Sequence, residues 1–374
     1  MRNLMQKNTS MNDNQHKDSK KSSYEGYREI INPIKPHAKT QSNTKKNSFI
    51  ESYFFYPKLW HKILAYALLP FSCIYISIAL CKKYLTKKMR FDIKILSIGN
   101  LVSGGSGKTP FCIALTQHLH KQGYTNIYIV SRGYKRKSKG LIQVSCNGKI
   151  LCDVAQSGDE AMLLATQTQG NVIVSEDRTK ALEYIQTLTH TQTKQNSQLI
   201  KNIPQNIPIV ILDDAYRFNF NKFDILLEPT LKPYFPFVLP SGYYRFPKRF
   251  YKKCDLHLKE NKDYKRKVSL YHLQDSHIES KYILATAIAN PSRLKPYLPK
   301  NVVYEYYLAD HADFDFNTLS TLLKQYNATH ILMTQKDYVK CMNFMLPVAL
   351  LMLDITIESY VLDKIESFLS HTHL

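Results

Sequence analysis

The stretch Gly99-Asn100-Leu101-Val102-Ser103-Gly104-Gly105-Ser106-Gly107-Lys108-Thr109-Pro110 carries the residue types of a phosphate-binding loop. Glycines let consecutive backbone N–H groups converge on phosphate oxygens, and a helix N-terminus adds positive partial charge. Lys108 is placed to reach the β- and γ-phosphates, and the Thr109 hydroxyl to ligate Mg2+. Val102 stands where the strict pattern asks for its first glycine, so the expected nucleotide contacts run over Val102, Ser103, Gly104, Gly105, Ser106, Gly107, Lys108 and Thr109. Pro110 fits the first turn of a helix. A second carboxylate-bearing element is expected at the end of an apolar strand, and Ile207–Asp214 ("IPIVILDD") supplies it. Thr109, Asp213 and Asp214 are therefore the candidate metal ligands.

These residues need a scaffold of strands that end in turns and feed helices. "IKILSIG" reads as a strand, "TPFCIALTQHLHKQG" as an amphipathic helix stopping at Gly123, and "NIYIVSRG" as a strand. "SGDEAMLLATQTQG" and "RTKALEYIQTLTH" read as helices, with "NVIVS" between them as a strand. The alternation predicts an α/β, P-loop NTPase-like parallel sheet with helices on both faces, over residues 91–270. A polar stretch, "THTQTKQNSQLIKNIPQN", reads as a surface insertion. A further apolar series over residues 271–374 predicts a smaller C-terminal α/β domain.

The chain has 374 residues and a formal net charge of +21, of which residues 1–90 carry +12 (17 Lys/Arg, 5 Asp/Glu). Much of the basicity thus precedes the loop rather than surrounding it. Residues 1–48 are polar and lack periodicity, which predicts a disordered basic tail rather than a cleavable signal. Residues 49–90 then hold an uncharged run, Ile63–Cys81, flanked by Lys58 and Lys62 on one side and Lys82, Lys83, Lys87, Lys88 and Arg90 on the other. As a helix, 19 residues span about 28 Å, near the thickness of a bilayer core, with a kink at Pro70. An N-terminal membrane helix on an anionic surface is expected, either crossing the bilayer or lying along it. The seven cysteines form no C-x-x-C pair, which argues against a zinc site or disulfide framework and suits a reducing compartment.

An ordered set of motifs resembles the tetraacyldisaccharide 4'-kinase family. It comprises "SIGNLVSGGSGKTP", "VSRGYKRKSKG", "GDEAMLLA", "ILDDAYRFN", "LPSGYYRFP", "IANPSRL", "DHADF" and "TQKD", spread over residues 50–345. The resemblance implies ATP- and Mg2+-dependent phosphorylation of the 4'-hydroxyl of a tetraacylated glucosamine disaccharide 1-phosphate, giving lipid IVA. It also implies attachment to the cytosolic face of the bacterial inner membrane. It assigns Asp159 as catalytic base and His311 as its assistant, beside Lys108. Arg132, Arg136, Glu160 and Arg245 are substrate-side candidates, with Tyr134 in the same basic loop. Two departures stand out: Ala215-Tyr216-Arg217-Phe218 replaces Gly-Phe-Gln-His, and Gln335 replaces the glutamate of T-E-K-D.

Two other classes fit the sequence less well. "NKFD" (Asn221–Asp224) has the N-K-x-D spacing of guanine recognition, but follows too closely on the Asp213-Asp214 strand. A basic P-loop ATPase acting as a membrane switch or binding nucleic acid needs a basic, aromatic-interleaved patch at the site, which the sequence does not display. No nucleic-acid partner is expected.

Overall fold

The computed structural model describes residues 28–31, 41–42, 49–85, 88–103, 107–195, 208–273 and 280–371. The chain opens with two short strands, β1 (Arg28–Ile31) and β2 (Gln41–Ser42), followed by helices α1 (Phe49–Phe55), α2 (Leu59–Ala67) and α3 (Leu69–Leu85). The two strands correct the expectation of a structureless tail at those positions. They form the two edges of a sheet whose other strands come from the C-terminal part of the chain, and edge pairing uses backbone groups that any sequence carries. The rest of residues 1–48 lies outside the described residues.

The kink expected at Pro70 is present, as a break between two helices. The chain breaks at Leu68, and α2 and α3 meet at a bend of 51°. Pro70, in the first turn of α3, cannot donate the backbone hydrogen bond that continuation from α2 requires. Among the described residues no single helix is long and apolar enough to cross a membrane.

The next elements are β3 (Lys94–Gly99), α4 (Lys108–Lys121), β4 (Ile127–Ser131), β5 (Ile142–Gln143), the hairpin β6 (Ser145–Cys146) and β7 (Lys149–Ile150), then α5 (Val154–Ser157) and α6 (Asp159–Gln167). They continue with β8 (Asn171–Val174), α7 (Arg178–Gln195), β9 (Ile209–Asp213), β10 (Phe223–Leu227) and β11 (Leu256–Leu258). Seven of the strands form a sheet in the order β11-β10-β3-β9-β4-β8-β5, parallel except for β5 at the edge. Its central strands are fully buried apolar runs because both faces are covered. Leu96 and Ile98 face a core shared with Phe111, Leu115 and Leu119 of α4 and Leu164 of α6. Ile93 and Ile95 face Ala181, Leu182 and Ile185 of α7. Helix α7 extends through the first part of the stretch read as an insertion, most of whose remainder lies outside the described residues.

The second sheet uses β12 (Tyr264–His272), β13 (Tyr282–Thr286), β14 (Val302–Tyr307), β15 (His330–Thr334) and β16 (Val348–Ile357). The helices here are α8 (Phe316–Gln325), α9 (Gln335–Tyr338) and α10 (Ser359–Ser370). The strand order is β1-β12-β16-β15-β13-β14-β2, with β13, β14, β15 and β16 parallel and β12 antiparallel to β16. The two sheets are joined by more than one crossing. Tyr264 and Ile357, at the ends of β12 and β16, belong to the core of the first sheet, and so do Val361, Ile365 and Leu369 of α10. A cut at residue 270 would pass through β12 and part α10 from the helix it covers.

Candidate functional site

β3 delivers the loop. At its entrance Val102 is buried and pairs with Tyr244 in an isolated antiparallel bridge. The Arg245 N–H donates to the Leu101 carbonyl (2.6 Å), and the Ser103 N–H to the Tyr243 carbonyl (3.1 Å). A glycine at Val102 would forfeit the packing of that side chain among Leu101, Tyr244 and Phe246. Gly104, Gly105 and Ser106 lie outside the described residues. Gly107 caps α4 at φ +77°, and a side chain there would run within 2.9 Å of the Arg266 guanidinium. Lys108 and Thr109 follow as the first residues of α4.

Lys108 donates to the Asn100 side chain (3.3 Å) and lies 3.7 Å from Asp214. Asp214 accepts from Arg245 at 2.7 Å. Burial would push the Asp214 carboxyl up, but Lys108 and Arg245 outweigh it and hold the pKa low. Asp213 is different. Its Oδ1 is buried without a partner, and burial pushes its pKa up to about 7 despite nearby Lys108. The Arg178 guanidinium donates to the backbone carbonyls of Ser175 (2.6 Å) and Asp213 (3.0 Å), fixing the end of β9 against the start of α7. Arg132 and Arg217 lie in the electrostatic reach of Arg178, and Arg217 also in that of Asp214 and Arg245. Four arginines thus crowd around two carboxylates, which gives the region a preference for anionic ligands.

A second cluster of charged side chains is built around Asp159. Gly158, at φ +82°, caps α6, and a Cβ there would sit 2.9 Å from the Tyr134 carbonyl, so only glycine permits this close approach. Asp159 opens the helix, where the dipole favours its charge. His311 Nδ1 lies 2.7 Å and 3.0 Å from its two oxygens. Lys340 and Lys336 stand 3.7 Å and 3.9 Å away, and Lys336 also bonds Glu160 at 3.1 Å. Burial opposes ionisation of Asp159, yet His311, Lys336 and Lys340 together hold its pKa below the usual range. His311 itself sits at φ +62°, its N–H donating to the Ala287 carbonyl (2.9 Å). Ala287 is pinned in turn by buried Asp337, which also accepts from Thr286 and Thr334 at 2.7 Å each. Tyr134 packs edge-on against the His311 ring (5.2 Å). Glu160 links the two halves, since its charge contributes to the high pKa of Asp213.

Most expected site residues therefore lie at the carboxyl ends of parallel strands, where α/β sheets bind ligands. Arg136 is turned elsewhere: it pairs with Glu176 at 2.6 Å and bonds the Gly140 carbonyl. Sequence reasoning missed Lys336 as a partner of Asp159, together with Lys340, Arg178 and Arg266. Gln335, the atypical residue, ties Leu353 of β16 (2.9 Å) to Gln167 of α6 (3.1 Å). NKFD is structural: Asn221 bonds the Phe91 backbone, and Lys222 pairs with Asp224.

Residues 64–372 match the family model described as tetraacyldisaccharide-1-P 4'-kinase. The chain belongs to this family. A tetraacyldisaccharide 4'-kinase of Helicobacter acinonychis is 44% identical over 322 residues, 86% of this chain and 95% of that one. One from Campylobacter jejuni is 39% identical over 331 residues, 87% and 98% of the two chains. A crystal structure of LpxK from Aquifex aeolicus in complex with ATP shares the fold, with a TM-score of 0.63 at 24% identity over 82% of this chain and 99% of that one. This kinase uses ATP to phosphorylate the 4'-position of the lipid A precursor disaccharide, and the similarities do not favour the switch or nucleic-acid readings.

Proposed function

We propose that phosphoryl transfer runs between two sets of this chain's residues: Lys108, Thr109, Asp213 and Arg245 around the triphosphate, and Asp159 with His311 around the acceptor hydroxyl. Lys108 and the N-terminus of α4 bind the phosphates. Mg2+ fits this site, because the unpartnered Asp213 Oδ1 is a buried oxygen that a cation would satisfy. Thr109 and Asp213 would hold the ion, with Asp214 kept by Arg245; when bound, the ion neutralises phosphate charge. Arg132, Arg217 and Arg245 orient anionic groups of the donor or of the 1-phosphate.

The observation that carries the acceptor side is the Asp159–His311 pair, its two side chains buried and bonded through both carboxylate oxygens. His311 fixes the carboxylate, and Asp159 takes the proton of the 4'-hydroxyl as the bond to phosphorus forms. A weakly basic carboxylate suits this reaction, since the transition state is loose and positioning supplies most of the rate. Glu160 and Lys336 close the wall beside it.

The acyl chains have a neighbouring route. The loop from Leu239 to Pro247 holds Arg245 and, two residues before it, packs Tyr243 against Phe54 and Phe55 of α1. Helices α2 and α3 present an apolar face to a membrane surface, so the lipid reaches the site from the bilayer on the cytosolic side of the inner membrane. The decisive assay supplies acylated disaccharide 1-phosphate in detergent micelles with Mg-ATP. Transfer to the 4'-position is expected; a folded preparation that transfers none overturns the reading.

A further inference from the structure

Of the 20 exposed large hydrophobic side chains among the described residues, 12 fall between Phe49 and Leu85. They are not scattered around the helices. On α3 the buried or half-buried positions include Ser72, Tyr75, Ile76, Ala79, Leu80 and Lys83, while Phe71, Ile74, Ile78 and Leu85 point away. The inner face is fastened by polar bonds: Ser72 donates to the Val238 carbonyl (2.9 Å), Lys83 to that of Tyr216 (2.6 Å), and Tyr53 of α1 to that of Ser241 (3.1 Å). A helix bonded along one side to the body of the protein presents only its other side to lipid, so it lies in the interface.

The same inner face carries a short 3-10 turn, Lys248–Lys253, that no sequence motif singled out. Its Phe250 and Tyr251 are buried in one cluster with Tyr75, Ile76, Ala79 and Leu80 of α3. Its Lys248, Arg249, Lys252 and Lys253 are all exposed. Lys253 lies 5.9 Å from the ring of Tyr84, near the end of α3, and Lys248 lies 5.1 Å from that of Tyr244. From Leu239 to Cys254 there are five Lys/Arg and no acidic residue. An apolar ridge with cations packed beside it is the charge pattern of a surface that meets anionic headgroups.

We propose that Lys248, Arg249, Lys252 and Lys253 form the headgroup-binding part of a composite docking surface for anionic phospholipid bilayers, with α2 and α3 lying in the membrane plane. This rests on the lipid-kinase reading of the site but is separable from it. The turn begins three residues after Arg245, so a docked turn also fixes the arginine that holds Asp214.

The test is vesicle co-sedimentation of the full chain with phosphatidylglycerol-containing and pure phosphatidylcholine vesicles, beside kinase assays in neutral detergent micelles. Each Lys or Arg near an anionic surface is worth about 5-fold in binding, so the quadruple Lys248→Gln, Arg249→Gln, Lys252→Gln, Lys253→Gln variant should bind the anionic vesicles at least about 50-fold more weakly. Binding to phosphatidylcholine, thermal stability and micellar kcat and KM should not change, because the four side chains are exposed and outside the site. Unchanged binding to anionic vesicles overturns the proposal. So does wild-type binding that is equal on both vesicle types, or a rise in micellar KM for the lipid, which would make the turn part of the substrate site. Loss of kinase activity in the wild type alone would overturn the enzymatic reading and leave the vesicle result standing.

Discussion

Asp159 and Asp213 are equally buried, each 5% exposed, yet their surroundings drive them in opposite directions. Asp159 begins a helix and has His311, Lys336 and Lys340 around it, so it stays ionised. Asp213 ends a strand with one oxygen unpartnered, and burial raises it to about 7. One carboxylate is surrounded by an imidazole and two ammonium groups, and the other keeps a buried oxygen without a hydrogen-bond partner. The role of each follows from what its neighbours already supply rather than from its residue type.

The sharpest way to break this contrast is to remove the surrounded one. Asp159→Ala should lower kcat by roughly 10²- to 10⁴-fold while ATP affinity, measured by titration of the Mg-nucleotide, stays within a few-fold of wild type. Unchanged turnover would take the proton-accepting role away from Asp159.

Asp213→Asn tests the carboxylate with the unpartnered oxygen, and its signature is stability. A carboxyl raised on folding costs stability as pH climbs from its unfolded value, near 4, through about 7, and the full cost is present above that. In metal- and nucleotide-free protein, the Asp213→Asn substitution should therefore raise the unfolding free energy at pH 8 by up to about 4 kcal/mol, read as a higher melting temperature, and the gain should shrink steadily toward pH 4. The same variant should lose Mg-ATP turnover. Equal stability of the two proteins at pH 8 would mean the buried charge is already satisfied.

The placement of Lys108 and Thr109 was legible because the elements around them are contiguous in sequence. A strand, a glycine turn and a helix place Lys108 and Thr109 by local geometry alone, and an apolar strand ending in Asp-Asp declares itself. The break near Pro70 was legible for the same reason. The Asp159–His311 pair was not: His311 lies 152 positions from Asp159, and nothing local marks it, since its place is set by the ends of β13 and β14 and by Asp337 behind them. Only the ordered resemblance pointed there. Lys336 and Lys340 carry no local mark of their place beside Asp159, and the tail strands follow from the open edges of a sheet formed far down the chain.

Lys336 gives an intermediate effect that probes the cationic side of the contrast. In Lys336→Met, Asp159 loses a cation, so its pKa rises and the acid limb of the kcat/KM profile should move to higher pH. Turnover at neutral pH should fall far less than in Asp159→Ala. An acid limb that stays in place would show that His311 and Lys340 suffice to keep the carboxylate charged.

The smallest effect is expected at Gln335, one of the two departures from the motif pattern. Gln335→Glu restores the usual carboxylate, and if that position took part in chemistry the change should raise activity. The structure gives this side chain a bridging role instead. Its Oε1 accepts the Leu353 N–H, and its Nε2 donates to Gln167. Glutamate keeps the first bond through a carboxylate oxygen, and a flip of the Gln167 amide recovers the second by presenting its NH2 group. Turnover should therefore change by less than about threefold and stability by no more than about 1 kcal/mol, the net worth of one hydrogen bond. A tenfold gain in kcat would instead place Gln335 within the reacting set, and the Asp159 side of the site would then be short of one carboxylate.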